Sequence, residues 1–335
     1  MTDYDSPATF RGQLRRGRGI AVQRATTEPH AAEMVYECVF EDVRWDRLCD
    51  TRGGYLAGLI HRLDLSLAPI ERRLAAAEDL QTVEYCLDVL AHLPFVGRAD
   101  AASVLRRYAA EGRHRQAALD AIADEVTASR KANQRPGAER RARRRTAAEV
   151  STDELDRDIA AGGRERALAL EELGRRGDQR VMDFAEQTCL YNAAAWIPGM
   201  SRALGHLGTA AVPRARAWSA GDNPTLAHFA VTVLAEHGDV GDVEILHAAL
   251  NSYVAEEDWC GAEKPARGLG RLGAQEAISD LMAAWEATPH SLARVDFLQA
   301  LIACRAPQAA ACAEEGLFDC EPEVQQIARA STDRP

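Results

Sequence analysis

In its second half the chain reads Leu204-Gly205-His206-Leu207-Gly208-Thr209-Ala210-Ala211-Val212-Pro213. This phrase indicates the end of one helix, a short turn and the start of another, because glycine ends helices and proline fits their first turn. Similar phrases recur along the chain, with turns at residues 177, 208, 238, 273 and 306. Their spacings of 31, 30, 35 and 33 residues are typical of stacked helical repeats.

The unit around residue 223 shows why such a phrase predicts a helical hairpin. Asn223 can cap a helix, and Pro224 suits its first position. The apolar residues that follow share one helical face: Leu226, Phe229, Ala230, Val233 and Leu234. Gly238 is predicted to end the helix in the left-handed conformation. The next helix has its own apolar face, formed by Val243, Leu246, Leu250 and Tyr253.

These phrases resemble HEAT repeats, especially the bacterial HEAT-like class. The resemblance rests on the Leu-Gly-x-x-Gly turn and on Ala211-Val212-Pro213, and it covers residues 165–330. It implies an all-α fold, namely an α-solenoid of stacked antiparallel helical hairpins. Such a hairpin cannot bury its apolar face alone, so its neighbours must stack on it.

Composition divides the chain into four predicted segments. Residues 1–50 form an N-terminal basic tail and capping segment, and the tail is expected to be disordered because arginine alternates with glycine between Arg11 and Gly19. Residues 51–127 form divergent helical repeats. Residues 128–150 form a basic linker or loop, and residues 151–330 form the regular HEAT-like repeats.

The charge distribution bears on possible partners. Residues 1–150 have a net charge of +2 and residues 151–335 a net charge of −13, so a nucleic-acid contact would fall to the first part. The basic residues are 38 arginines and two lysines, Lys131 and Lys264, which is typical of a GC-rich genome such as an actinobacterial one. The acidic second part favours a neutral or basic protein partner.

The cysteines and the hydropathy pattern suggest a cellular compartment. The eight cysteines form no CxxC pair, so we expect buried, reduced thiols and no zinc site. The chain has no stretch of about 20 apolar residues, which excludes a membrane-spanning helix. The sequence therefore predicts a soluble, cytoplasmic protein.

The densest basic run lies in the predicted linker. It contains Arg140, Arg141, Arg143, Arg144 and Arg145. The run can bind nucleic acid or an acidic protein through counterion release. The alternative is a solvated linker, because like charges repel one another and no aromatic residue lies between them to stack on bases.

A polar and aromatic cluster lies before the first predicted repeat. Arg44, Trp45 and Arg47 form either an interface hot spot or a segment that caps the open end of the stack.

Four tryptophans recur about once per repeat. Trp196, Trp218, Trp259 and Trp285 either line a groove or fill the contacts between repeats. Trp259 beside Asp258 is the pairing that suggests a HEAT-like DNA glycosylase, a family that resembles this architecture and places tryptophan and a carboxylate on its inner face.

The sequence shows no catalytic motif and no metal-binding motif. HExxH, GxSxG and P-loop patterns are absent, and the repeated His-Glu pairs of di-iron HEAT proteins are missing. We therefore expect a non-enzymatic scaffold that binds an unidentified protein or peptide, with no cofactor. The alternatives are a nucleic-acid-associated protein and a glycosylase or other repair enzyme.

Overall fold

The computed structural model describes residues 4–47, 50–132, 150–192 and 197–332. Within these ranges the regular structure consists of 20 α-helices and a few short 3₁₀ turns, with no β-strand. The predicted all-α class is therefore confirmed. None of the described helices is both long and apolar enough to cross a lipid bilayer.

The chain forms two compact units. The first comprises residues 1–136, 285–298 and 307–335, and the second comprises residues 137–284 and 299–306. The helices of the first half are α1 (Phe10–Arg15), α2 (Gly19–Arg24), α3 (Ala31–Phe40), α4 (Gly53–Arg62), α5 (Ala68–Ala76), α6 (Leu80–His92), α7 (Asp100–Glu111) and α8 (Arg115–Ala132).

The remaining helices follow in chain order. They are α9 (Thr152–Ala161), α10 (Gly163–Arg175), α11 (Arg180–Tyr191), α12 (Met200–His206), α13 (Val212–Ser219), α14 (Pro224–His237), α15 (Val243–Ala255), α16 (Trp259–Leu272), α17 (Ile278–Ala287), α18 (Ala293–Ala303), α19 (Ala309–Gly316) and α20 (Pro322–Thr332).

The N-terminal arginine-rich stretch is folded, so the prediction of a disordered tail is wrong. It forms α1 and α2, and the side chains of Arg16 and Arg18 are buried. Gly19 lies where a Cβ would be 1.8 Å from the carbonyl oxygen of Glu315. Because glycine has no Cβ, the backbone can approach the C-terminal residues closely. The buried arginines donate hydrogen bonds to acceptors in that region.

In the second unit, alternate helices pack on one another. Helices α10, α12, α14 and α16 contact in consecutive order, while α13 packs on α14 and α15 packs on α16. The leucine that opens each predicted phrase lies in the core, at most 1 % exposed: Leu173, Leu204, Leu234 and Leu269. The recurring phrase therefore marks an equivalent buried position in successive hairpins.

The two glycines of the phrase have different roles. The turn glycines Gly177, Gly208 and Gly273 adopt φ between +66° and +70°, as the turn requires. Gly174 instead lies inside α10, where a Cβ would be 2.2 Å from the carbonyl oxygen of Ala203. The first glycine is therefore needed for the close approach of α10 and α12.

Gly238 departs from the predicted left-handed cap. Its φ is −64° and its ψ is 172°, so its conformation is extended. A Cβ would lie 2.6 Å from a carboxylate oxygen of Asp242. Asp242 and Asp239 form a capping box in the turn that follows, so space rather than backbone handedness favours glycine here.

Charged pairs join successive odd-numbered helices of the second unit. Arg180 of α11 contacts Asp156 of α9 at 2.9 Å, and Arg214 of α13 contacts Glu186 of α11 at 2.5 Å. His247 of α15 contacts Asp280 of α17 at 2.5 Å. In these pairs a basic group faces a carboxylate of the preceding or following odd-numbered helix.

The buried-thiol prediction is confirmed at six positions. The free, buried cysteines are Cys38, Cys86, Cys189, Cys304, Cys312 and Cys320. Burial raises the pKa of the Cys38 thiol to about 12, which keeps it protonated and inert. Cys260 differs because it is exposed.

Candidate functional site

The predicted Arg44, Trp45 and Arg47 cluster is tied into the first unit. The Arg44 guanidinium lies 2.7 Å from Asp42 and above the Tyr85 ring, and Arg47 contacts Asp42 at 3.1 Å. The Trp45 ring stacks on His290, with 4.5 Å between ring centroids. The half-buried Trp45 thus packs within its own unit, against a residue from the C-terminal part of the chain. An interface role for these residues stays a prediction.

Beside this cluster lies a buried polar network that the sequence did not predict. Arg294 donates two hydrogen bonds to Asp319, at 2.8 and 2.9 Å, and both side chains are fully buried. Arg18 likewise donates two hydrogen bonds to Glu315, each 2.8 Å long. The first pair joins residues 25 positions apart in sequence, and the second joins residues 297 positions apart. Both pairs are buried and join segments of the first unit.

The described tryptophans of the second unit, Trp218 and Trp259, are buried. Trp218 is 6 % and Trp259 is 4 % exposed, and in the first unit Trp285 is fully buried. Trp218 donates its indole hydrogen to Glu186, at 2.7 Å, beside the Arg214 pair. This burial favours the packing alternative for these three residues, and an interface role for Trp218 and Trp259 stays a prediction. Trp196 and the run Arg140–Arg145 lie outside the described residues.

The Asp258 and Trp259 pairing has a local structural role. Asp258 caps α16 by accepting a hydrogen bond from the backbone N–H of Gly261, at 2.9 Å. Trp259 is the first residue of that helix and its ring is buried. The carboxylate therefore caps the helix N-terminus, and the ring packs in the core. The pairing does not support a glycosylase.

A different polar cluster crosses the even-numbered helices. The ammonium Nζ of Lys264 on α16 lies 2.8 Å from the hydroxyl oxygen of Thr232 on α14 and 3.3 Å from that of Ser201 on α12. Ser201, Thr232 and Lys264 are 31 and 32 residues apart, which is the spacing of the repeat. They therefore lie close together on three helices, α12, α14 and α16, that pack on one another in this order.

A histidine and a tyrosine extend this cluster by one helical turn. His228 precedes Thr232 by four residues on α14, and its Nδ1 lies 3.0 Å from the Tyr253 hydroxyl. Burial, together with the nearby Lys264 charge, lowers the pKa of His228. Burial also raises the pKa of Tyr253 to about 12. At neutral pH both groups are therefore uncharged and able to exchange a hydrogen bond.

Lys264 differs in its hydrogen-bond partners from the basic residues of the odd-numbered helices, which contact carboxylates. Among the described residues, its hydrogen-bond partners are the two hydroxyls and not a carboxylate. Burial lowers the pKa of Lys264, and the nearby Glu236 and Glu263 oppose this effect only in part. Lys264 as a whole residue is half-buried. A lysine of this kind marks a candidate functional site.

Sequence reasoning missed Lys264 although a signal existed. In a chain with 38 arginines and two lysines, the bias toward arginine makes each remaining lysine a position where arginine is disfavoured. Lysine carries a compact ammonium and arginine a planar guanidinium, so the two are not interchangeable at a hydrogen-bonded position.

Comparisons with known proteins gave no match. No family model, no curated protein and no solved structure resembles this chain at a significant level. The assignment of function therefore rests on the site itself.

Proposed function

We propose that the second unit is a HEAT-like stack of helical hairpins and that the chain is a non-enzymatic scaffold. In this proposal a protein segment binds along the even-numbered helices α12, α14 and α16. Support comes from their consecutive packing and from the equivalent buried leucines of successive phrases. Stacked hairpins of this kind offer an extended surface for protein binding.

The observation that carries the proposal is the polar row of Ser201, Thr232 and Lys264. It lies across three successive helices, and it leaves one of the three ammonium hydrogens of Lys264 without a hydrogen-bond partner among the described residues. A backbone carbonyl or a carboxylate of a bound segment would accept that hydrogen. The unit as a whole is acidic, so a neutral or basic segment that supplies one such acceptor fits best.

The test is capture of partners by variants that differ at this row. Tagged wild-type protein, Lys264→Met and Lys264→Arg would each be incubated with lysate of the source organism, with and without nuclease. Arg164→Met removes an exposed cation from α10 and is the matched control. We expect a defined protein to be recovered by wild type and Arg164→Met after nuclease treatment, and to be lost with Lys264→Met.

Two results would contradict the proposal. One is recovery of the same protein by Lys264→Met as by wild type. The other is recovery that disappears with nuclease, which would favour the nucleic-acid alternative through the arginine run.

A further inference from the structure

We infer that Glu321 is a protonated acid in the folded protein, and that its carboxyl hydrogen attaches the start of α20 to the rest of the first unit in a contact that weakens as the pH rises. Three buried side chains form this contact: Asp50 before α4, Ser291 before α18 and Glu321 before α20. The inference concerns the first unit, and it is independent of the binding surface proposed for the second.

Asp50 has the surroundings of an ionised carboxylate. Its Oδ1 accepts hydrogen bonds from the hydroxyl and from the backbone N–H of Ser291, the latter at 3.2 Å. Its Oδ2 accepts from the backbone N–H groups of Trp45 and Asp46, at 3.0 and 3.2 Å. Burial opposes ionisation, but the charge of Arg52 at 3.7 Å and the Ser291 hydrogen bond together lower the pKa of Asp50.

The hydroxyl hydrogen of Ser291 is therefore donated to Asp50. The Oγ atom of Ser291 also lies 3.3 Å from Oε2 of Glu321, and a hydroxyl has only one hydrogen to donate. An ionised Glu321 would place a second carboxylate oxygen against Oγ with no hydrogen between them. A protonated Glu321 donates its own hydrogen to Oγ, while its Oε1 accepts from the backbone N–H of Glu323, at 3.3 Å. Both oxygens of the acid then have a partner.

The charges closest to Glu321 favour the same form. Arg294 of α18 attracts a negative charge at Glu321, but it already donates two hydrogen bonds to Asp319. The Asp319 carboxylate repels a second negative charge. Burial has the largest effect, since Glu321 is 7 % exposed, and it raises the pKa of this carboxyl group.

Other ionisable groups of the surrounding segments are already engaged. They form two ion pairs, Arg52 with Asp50 and Arg18 with Glu315 of α19, and His290 stacks on Trp45. Burial raises the pKa of the Cys320 thiol to about 12, so this group is neutral. In the part of the chain that the structure describes, the hydrogen-bond partners of Glu321 are the Ser291 hydroxyl and the Glu323 N–H. Ionisation would leave a buried carboxylate without a basic partner.

Loss of the proton should weaken the attachment of α20. An ionised Glu321 has no hydrogen to give Ser291, so two carboxylates compete for one hydroxyl hydrogen. A glutamate in the unfolded chain titrates near 4.5, below the value of Glu321 in the folded protein. Between the two values the folded protein binds more protons, so the free energy of unfolding falls as the pH rises through this interval. The stabilisation is fully present below 4.5 and is lost above the raised value.

Urea denaturation of the full-length wild type, Glu321→Gln and Glu323→Gln between about pH 4.5 and pH 8 measures this effect. A glutamine amide accepts from the Glu323 N–H and donates to Ser291, so it reproduces the protonated acid at every pH. Glu323→Gln changes an exposed carboxylate on the same helix and is the matched control. We expect wild type to lose stability relative to Glu321→Gln as the pH rises. The unfolding equilibrium constant should change by about tenfold for each unit by which the pKa is raised.

Infrared spectroscopy in D₂O provides a second measurement that does not require unfolding, because a protonated carboxyl group absorbs separately from carboxylates. The wild-type minus Glu321→Gln difference spectrum should contain the band of one protonated carboxyl group above pH 4.5, and the band should disappear as the pH rises further. Absence of this band would overturn the inference. A stability difference from Glu321→Gln that is as constant with pH as that from Glu323→Gln would do the same. Failure of Glu321→Gln to fold would also overturn it, since the amide keeps both hydrogen bonds of the acid.

Discussion

A lysine bonded to two hydroxyls affects stability differently from an arginine that faces a carboxylate. The pKa of Lys264 is below 10.5 in the folded protein and returns to that value on unfolding. Between these two values the unfolded chain binds more protons, so the free energy of unfolding rises as the pH increases through this interval. Burial of the charged amine is therefore a cost at neutral pH.

This cost predicts a pH-dependent effect of Lys264→Met. Methionine keeps the apolar stem and removes the titrating group. We expect the free energy of unfolding of the variant, relative to wild type, to fall as the pH is raised from 7 to about 10, because only wild type gains stability there. Urea denaturation at several pH values measures the difference. A difference that is constant with pH, like that expected for Arg164→Met, would contradict the lowered pKa.

The buried Arg294 and Asp319 pair leads to a larger predicted effect. Both side chains are fully buried, so Arg294→Met leaves the Asp319 carboxylate without its partner. We expect a loss of about 3–5 kcal/mol in the free energy of unfolding. Arg329→Met, an exposed change on α20, should cost less than about 0.5 kcal/mol. Equal effects of the two changes in urea denaturation would show that the pair is not buried as described.

Single residues were the hardest feature to predict from the sequence. Arg16 and Arg18 resembled a mobile basic tail because the acceptor of Arg18, Glu315, lies 297 positions away. Sequence periodicity reports contacts within a helix or between neighbouring hairpins, and it carries no information about such a distant partner. The tryptophans fit two interpretations, since an aromatic residue at repeat spacing is compatible with both a groove and a core.

At the scale of helices, prediction succeeded where local chemistry sets the boundary. Asn223 and Pro224 begin α14 as expected, with the Asn223 side chain accepting from the N–H groups of Thr225 and Leu226. Prediction failed at Gly238, where the neighbouring Asp242 rather than the helix itself determines the conformation.

The cap at Asn223 can be tested by two substitutions. Asn223→Ala removes the acceptor of two backbone N–H groups, and it should lower the free energy of unfolding by about 1 kcal/mol. Asn223→Asp keeps that acceptor and loses the hydrogen bond to the Cys189 carbonyl, so its cost should be smaller. Thermal denaturation followed by circular dichroism compares the two variants. A greater loss with aspartate would assign the role of Asn223 to the contact with α11.

The glycine of the repeat phrase allows a second test of helix packing. Gly174→Ala places a Cβ against the backbone of Ala203 and should destabilise the protein by about 1–3 kcal/mol. Gly58→Ala on α4 is the control, since a Cβ there meets no atom within 4 Å. That change should stabilise the protein by about 0.5–1 kcal/mol, because alanine is the better helix former. Stabilisation by both changes in urea denaturation would exclude the close approach of α10 and α12.

At the scale of the whole chain, the sequence predicted the helical class but not the division into units. The first unit combines residues from both ends of the sequence, and the joining contacts are buried arginine pairs rather than an apolar periodic pattern. The candidate site also escaped prediction as a whole, since its members Ser201, His228, Tyr253 and Lys264 form no motif. They meet because α12, α14, α15 and α16 pack on one another.

The central claim is that the even-numbered helices of the second unit bind a partner at Lys264. Amide hydrogen exchange of the full-length protein, alone and with the protein recovered by capture, measures this directly. We expect slower exchange on binding in α12, α14 and α16, around Ser201, Thr232 and Lys264. Slower exchange confined to the odd-numbered helices or to the first unit would contradict the claim.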